Sequence, residues 1–422
     1  MSGSTARITL ESLAFGGDAV GRLDDGRVVF VPLGVAGDRV LIRLVQIRRS
    51  FCRGELVEVL SGGPHRRAPP CPHFGRCGGC QWQQVSYAGQ LEAKGEIVRH
   101  VLGSASDLLA APQELGYRRR TRLHWQRGDR VIVGFMRRGS REIIDIDSCP
   151  LWVPALRVGV DACRAALGQA THKARGTLVL LEGRGERLHV SLKTSQAAEQ
   201  TLGALEGSGA FVGGQVLMTG TASAPISFGE AALESEGPLW TSAAAFFQAN
   251  ARQDIVLRRQ VRRLAGTPSR VLELFAGVGN LTREVAGLGA AVVAVEAAPA
   301  AAELLGANVV RWGGRAEQTN ARAMGPVQAV EGRAEQQVSR LAGRGERFDL
   351  VLLDPPREGC GRELLVGIAG LTDGVLYVSC DPMTLARDLS LLATLGFVVR
   401  NAAFLDMMPQ THHVEGVVLL TR

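Results

Sequence analysis

Residues 374–382 read GVLYVSCDP. An apolar, β-branched run ends in a small turn, and Cys380 stands where the strand stops. In an open α/β sheet, ligands and chemistry gather at the carboxyl ends of strands. Cys380 is therefore either a nucleophile at a strand tip or a small buried hydrophobe, the commoner fate of a free cysteine. The rest of the chain has to decide between them.

Outward from this strand, a βαβ rhythm runs from about residue 246 to the end. VLELF, AVVAVE, FDLVLLD, GVLYVSC, FVVRNAAFL and GVVLL alternate with helical stretches, which implies a parallel sheet buried on both faces. Residues 271–282, VLELFAGVGNLT, run from a strand through two glycines into a helix. Glycine lets a backbone approach a ligand closely. Glu296 closes the next strand, where a carboxylate can accept both hydroxyls of a ribose. No third glycine supports a pyrophosphate, so S-adenosylmethionine fits better than NAD. The following strand ends in Leu353-Asp354-Pro355-Pro356-Arg357. Two prolines stiffen a loop that presents Asp354 to the site. Asp354, with no aromatic after it, suits a ligand that donates an N–H, such as N3 of uracil; the alternative is a capping Asp. Near the end, MMPQTHHVEGVVLL sets Glu415 at the start of a last strand, with His412 and His413 as rival bases.

The N-terminal half differs. Residues 1–62 form short strands between Gly-rich turns, the pattern of a small OB-like barrel decorated with arginine. Residues 63–245 read as a central antiparallel β domain, with an amphipathic helix near 85–110 that is expected to pack on the catalytic domain. Residues 117–141 hold nine arginines against one aspartate, with Tyr117, His124 and Trp125 interleaved, which is either a solvated face or a nucleic-acid contact. The net charge of +7 leans the same way.

Eight cysteines in a chain of 422 residues point to metal or catalysis rather than disulfides. Cys71, Cys77 and Cys80 are spaced C-x5-C-x2-C, and Cys149 follows in SCP. Four thiolates bind zinc or an iron–sulfur cluster, and this spacing favours [4Fe–4S]. Cys163 rivals Cys149 as the fourth ligand. Cys52 reads as a strand residue. MSGSTARITLESL lacks the apolar core of a secretory leader, and no run is long enough to span a membrane, so a cytoplasmic monomer is expected.

Taken together, these motifs resemble the RNA (uracil-C5)-methyltransferase family, in its iron–sulfur branch with an N-terminal TRAM domain. CPHFGRCGGCQWQ with SCPLW resembles the cluster motif and supplies Cys71, Cys77, Cys80 and Cys149. AFFQAN, LELFAGVGN, Glu296 and LLDPPREG resemble the cofactor motifs and supply Gln248, Phe275, Asn280, Glu296 and Asp354. VSCDPMTLARD and PQTHHVE resemble the two active-site signatures and supply Cys380 and Glu415. The resemblance implies a class I, Rossmann-like methyltransferase domain over residues 246–422. It also implies S-adenosylmethionine and a [4Fe–4S] cluster as cofactors and RNA as partner, ribosomal rather than transfer. Cys380 would add to C6 of uracil and Glu415 would remove the C5 proton. Amino-directed RNA methylation and RNA binding without catalysis are the competing readings. Cys360 matches no motif.

Overall fold

The computed structural model describes residues 3–103, 108–169, 173–235, 237–316 and 324–422. The chain divides into two compact units, the first made of residues 1–114, 135–144 and 406–414 and the second of the remainder.

In the first unit, strands Thr5–Leu13, Ala19–Arg22, Val28–Val31, Arg39–Ile47 and Phe51–Ser61 close into a barrel. Alternation along Arg39–Ile47 drives this: Val40, Ile42 and Leu44 point inward and are buried, whereas Arg39 and Arg43 are exposed. The barrel core continues into Trp82, Val85, Ala93 and Ile97. The helix expected near 85–110 is Tyr87–Leu102, opened by Ser86 and closed by Gly103 at φ 65°; positions 104–107 lie outside the described residues. It groups with the barrel's unit. There the fully buried Lys94 meets Asp406 at 2.6 Å.

In the second unit, a smaller sheet runs Ile226–Gly229, Gly213–Met218, Leu188–Thr194, Ala174–Glu182, Arg120–Arg127 and onward into a hairpin at Val131. It is not wholly antiparallel. Leu188–Thr194 and Gly213–Met218 pair in parallel, with helix Ala198–Gly207 as the crossover.

The larger sheet of this unit has the order Val327–Glu331, Ala291–Glu296, Arg270–Leu274, Leu350–Leu353, Gly374–Ser379, Glu415–Thr421, Val398–Leu405. The first five strands are parallel, as the βαβ pattern implies. Glu415–Thr421 runs the other way, pairing antiparallel with both of its neighbours, so that Val398–Leu405 again points with the first five. The polar-rich strand Val327–Glu331 was not expected. All six residues of Gly374–Ser379 are buried. Each large side chain in such a strand contributes roughly 1.5–3 kcal/mol by burial. Among the described residues, no helix is long and apolar enough to cross a membrane.

Candidate active site

The sheet order places its switch point between Arg270–Leu274 and Leu350–Leu353, and the loops that leave these two strands open side by side. After Leu274 the chain turns sharply. Phe275 adopts φ 63°, a left-handed conformation that a bulky side chain rarely takes. Glu296, at the tip of the neighbouring strand, holds the turn. Its carboxylate accepts the amides of Gly277 at 2.8 Å and Ala298 at 2.7 Å. A Cβ added at Gly277 would meet nothing within 4 Å, so the loop faces open space there. At Gly279 it would stand 2.8 Å from Trp312. This is a cradle that admits a flat or sugar-like ligand beside a carboxylate, and its donors and acceptors fit an adenosine.

Asn280 donates its amide to Asp254 at 2.7 Å. Asp254 lies on helix Ala251–Ala265, capped by Asn250, and also accepts from Arg258 at 3.2 Å. Gln248 is half-buried in the irregular stretch just before that cap. The arginine-rich strand lies along this stretch. Arg119 donates its amide to Ala249 and sets its guanidinium 5.4 Å from the Phe247 ring, and Arg120 sits 5.6 Å from Phe246. Arg120 is driven down to about 10, first by burial and then by Arg122 and Arg118. Part of the basic window is thus packed inside the fold rather than solvated.

Cys380 follows its strand in a pinned turn. Ser379 Oγ donates to the Asp381 carbonyl at 3.1 Å. Asp381 then caps helix Pro382–Thr394 by accepting from Met383 and Thr384. The antiparallel return explains how a distant residue reaches this point. Ser379 pairs with Gly416, so the next step of the register sets Cys380 opposite Glu415. Had the last strand run parallel, Glu415 would lie at the far edge of the sheet.

Charge is crowded here. Burial pushes the Cys380 thiol up to about 12; Glu415 raises it further, Arg357 draws it back and Asp354 adds to the rise. Glu415 is nearly buried and held well above the usual carboxylate range by burial and then by Asp354, with Arg357 opposing. Enclosure of its carboxyl and the charge of Asp254 bring Asp354 to about 7. Asp381, whose carboxylate occupies the amides at the start of the next helix, also raises the thiol. One thiol, two carboxyls and one guanidinium therefore share an edge. Such a group can add a nucleophile and later accept a proton.

Of the rival residues, His412 and His413 belong to the first unit, with ring centroids 4.3 Å apart and Phe15 4.9 Å from His412. Cys163 is fully buried and its thiol is pushed upward by burial. Sequence reasoning missed Asp254 and Arg357, single charges with no motif that isolates them. It also missed Glu273, 1% exposed on the first strand and raised to about 8 by burial, with Thr282 opposing.

Cys71, Cys77 and Cys80 share a tight loop of the first unit, and Cys149 lies in the second unit. All four are half-buried. The Gly79 amide points at Cys77 Sγ at 3.4 Å, a contact that suits a thiolate. The donor chemistry fits a metal or cluster. Among the described residues, however, no group of three or more His, Cys, Asp or Glu side chains is arranged to hold a metal ion.

With this geometry in hand, comparison with known proteins is informative. Residues 241–422 match the family described as tRNA (Uracil-5-)-methyltransferase, and residues 1–57 match the TRAM domain. The chain is 33% identical over 455 residues to the 23S rRNA (uracil(1939)-C(5))-methyltransferase RlmD of Halomonas elongata, covering 99% of this chain and 90% of that protein. It is 32% identical over 459 residues to an uncharacterized RNA methyltransferase of Thermosynechococcus vestitus, covering 99% and 98%. Among solved structures, the Pyrococcus abyssi tRNA (uracil-54, C5)-methyltransferase in complex with S-adenosyl-L-homocysteine shares the fold, with a TM-score of 0.73 at 24% identity over 98% of this chain and 99% of that one.

Proposed function

The chain belongs to the RNA (uracil-C5)-methyltransferase family, and we infer that it methylates C5 of a uridine in 23S ribosomal RNA through a covalent adduct of Cys380 with the ring. The observation that carries this reading is the antiparallel register that sets Glu415 opposite Cys380, with Asp354 close to both. Similarity to the Halomonas protein over nearly the whole chain supports the ribosomal substrate.

C5 of uracil is a weak nucleophile. Addition of the Cys380 thiolate to C6 moves an electron pair into the ring, so that C5 can attack a methyl carbon. Arg357 favours the thiolate against the two carboxyls. Asp354, once ionised, accepts N3–H and orients the ring. Glu415 then takes the C5 proton. A carboxylate whose proton affinity is raised by burial is the stronger base for that step. Expulsion of Cys380 from C6 restores the ring and the thiolate.

S-adenosylmethionine supplies the methyl group. Glu296 would hold its ribose, and Phe275 and Asn280 would line the cradle. Gln248 and Asp354 would close it from the facing loops. The uridine must leave its stack, at a cost of a few kcal/mol. The TRAM barrel and exposed arginines would offset that cost through phosphate contacts, with affinity falling as salt rises. For Cys71, Cys77, Cys80 and Cys149 the reading is a [4Fe–4S] cluster that orders the protein, since methyl transfer moves no net electrons. Anaerobically prepared protein should be brown and carry about four irons per chain; colourless protein with one zinc would reverse that assignment.

The test is to map 5-methyluridine in total RNA from a strain lacking the protein, and again with Cys380→Ala restored. Loss of one ribosomal 5-methyluridine in both is expected. A lost transfer RNA site would move the substrate, and methylation by Cys380→Ala would remove the nucleophile assignment.

A further inference from the structure

Behind the Cys380 strand lies a second carboxylate that the mechanism does not use. Asp388, on helix Pro382–Thr394, is 1% exposed. Its Oδ2 accepts from the Tyr377 hydroxyl at 2.6 Å and from the Cys360 amide at 2.7 Å. Its Oδ1 accepts from Arg387 at 2.8 Å. Arg387 also donates to the carbonyl of Glu358 at 2.7 Å. Gly359 sits at φ 72°, and a Cβ there would stand 2.5 Å from Asp388 Oδ2, so only glycine allows this approach.

The bonded segments are the informative part. Tyr377 lies three residues before Cys380 on the buried strand. Cys360 and Glu358 belong to the loop that opens with Asp354 and Arg357. One carboxylate therefore carries bonds to the strand that delivers the thiol and to the loop that delivers the acceptor for N3–H. Tyr377 and Asp388 are closed to solvent and offer no surface to an RNA. Cys360 is itself buried, which makes it part of this packing. Buried networks whose members are all bonded hold one arrangement against alternatives.

We propose that Asp388 is a positioning residue: through Tyr377 and the Cys360 amide it fixes the separation between the Asp354 loop and the Cys380 tip, and with it the angle at which sulfur meets C6. This rests on the reading in which Cys380 adds to C6 and Asp354 holds the ring.

The test uses a 23S ribosomal RNA transcript made with 5-fluorouridine. Fluorine cannot leave C5 as a proton does, so the methylated adduct persists and its rate of formation can be timed on a denaturing gel. Tyr377→Phe removes one hydroxyl at constant shape. Adduct formation should slow by about tenfold, while Kd for S-adenosylhomocysteine and for the RNA stays within about twofold and the variant remains folded. Asp388→Asn should slow it further. If Asp388→Asn does not fold, Arg387→Ala, on the exposed side of the same carboxylate, should still lower kcat and leave KM near wild type. Adduct formation by Tyr377→Phe at the wild-type rate would overturn the proposal. So would a loss matched by lost cofactor binding or lost folded fraction. Failure of the wild-type chain to form any adduct would instead overturn the reading of function on which the proposal stands.

Discussion

The two halves of the larger sheet hold charge in opposite ways. In the parallel half, both oxygens of Glu296 are engaged by backbone amides, and the loop beside it is shaped before any ligand arrives. Where Glu415–Thr421 returns antiparallel beside the Cys380 strand, Cys380, Glu415 and Asp354 crowd one edge, and each holds its proton more tightly than in water. The first half is built to receive, with a bonded carboxylate and a strained turn. The second is built to react, because carboxyls whose proton affinity is raised can exchange protons nearer neutral pH.

Variants on the two sides should separate the functions. Cysteine addition to C6 makes C5 exchange its hydrogen with water, even without a methyl donor, so release of tritium from C5 reports the reactive half alone. The largest effect among such variants belongs to Arg357→Ala. A neighbouring opposite charge shifts a pKa by about 1–3 units, so losing it should slow tritium release at pH 7.5 by about tenfold to thousandfold. The profile should also move to higher pH. In the wild type, release should fall as pH drops through about 7, where Asp354 takes up a proton and can no longer accept N3–H. An unchanged profile in Arg357→Ala would remove the guanidinium from the account.

Next is Glu296→Gln in the receiving half. KM for S-adenosylmethionine should rise by about tenfold as charge-assisted bonds to Gly277 and Ala298 weaken, with tritium release unchanged. Loss of both together would dissolve the division between the halves.

The smallest effect on turnover belongs to Glu273→Gln, which tests burial of charge beneath the switch point. The folded-state pKa of about 8 lies above the ordinary glutamate value of 4.5. Stability is therefore greatest below about pH 4.5 for this group, and is lost as pH rises through about 8. The loss is on the order of 5 kcal/mol. Glu273→Gln should raise Tm at pH 8 and flatten its fall between pH 5 and 8. A lower Tm at pH 8 would mean that the carboxylate is bonded in its ionised form.

How much of this was legible in the sequence follows the same division. Phe275, Glu296, Asp354 and Cys380 each stand at or just past the end of an apolar run, so local pattern alone places them at strand tips. The parallel order of the first five strands follows from the helices between them. The antiparallel return of Glu415–Thr421 does not, because the hydrophobic pattern of a strand carries no direction. Strand Val327–Glu331 escaped notice because Gln328 and Glu331 interrupt its apolar run. Asp254, Arg357 and Asp388 are single charges whose importance comes from partners outside any local motif, as the Asp388–Cys360 bond, 28 residues apart, illustrates. Arg119 and Arg120 read as surface, since nothing local in YRRRTR tells a buried arginine from a solvated one.

The central claim is that Cys380 and Glu415 act in sequence on one uracil ring, and trapping tests it most directly. Glu415→Gln keeps the size of the side chain and removes the base. Incubated with S-adenosylmethionine and 23S ribosomal RNA, this variant should accumulate a protein–RNA adduct that survives a denaturing gel, carries the new methyl group and vanishes when Cys380→Ala is added. Normal turnover by Glu415→Gln with no adduct would contradict the account.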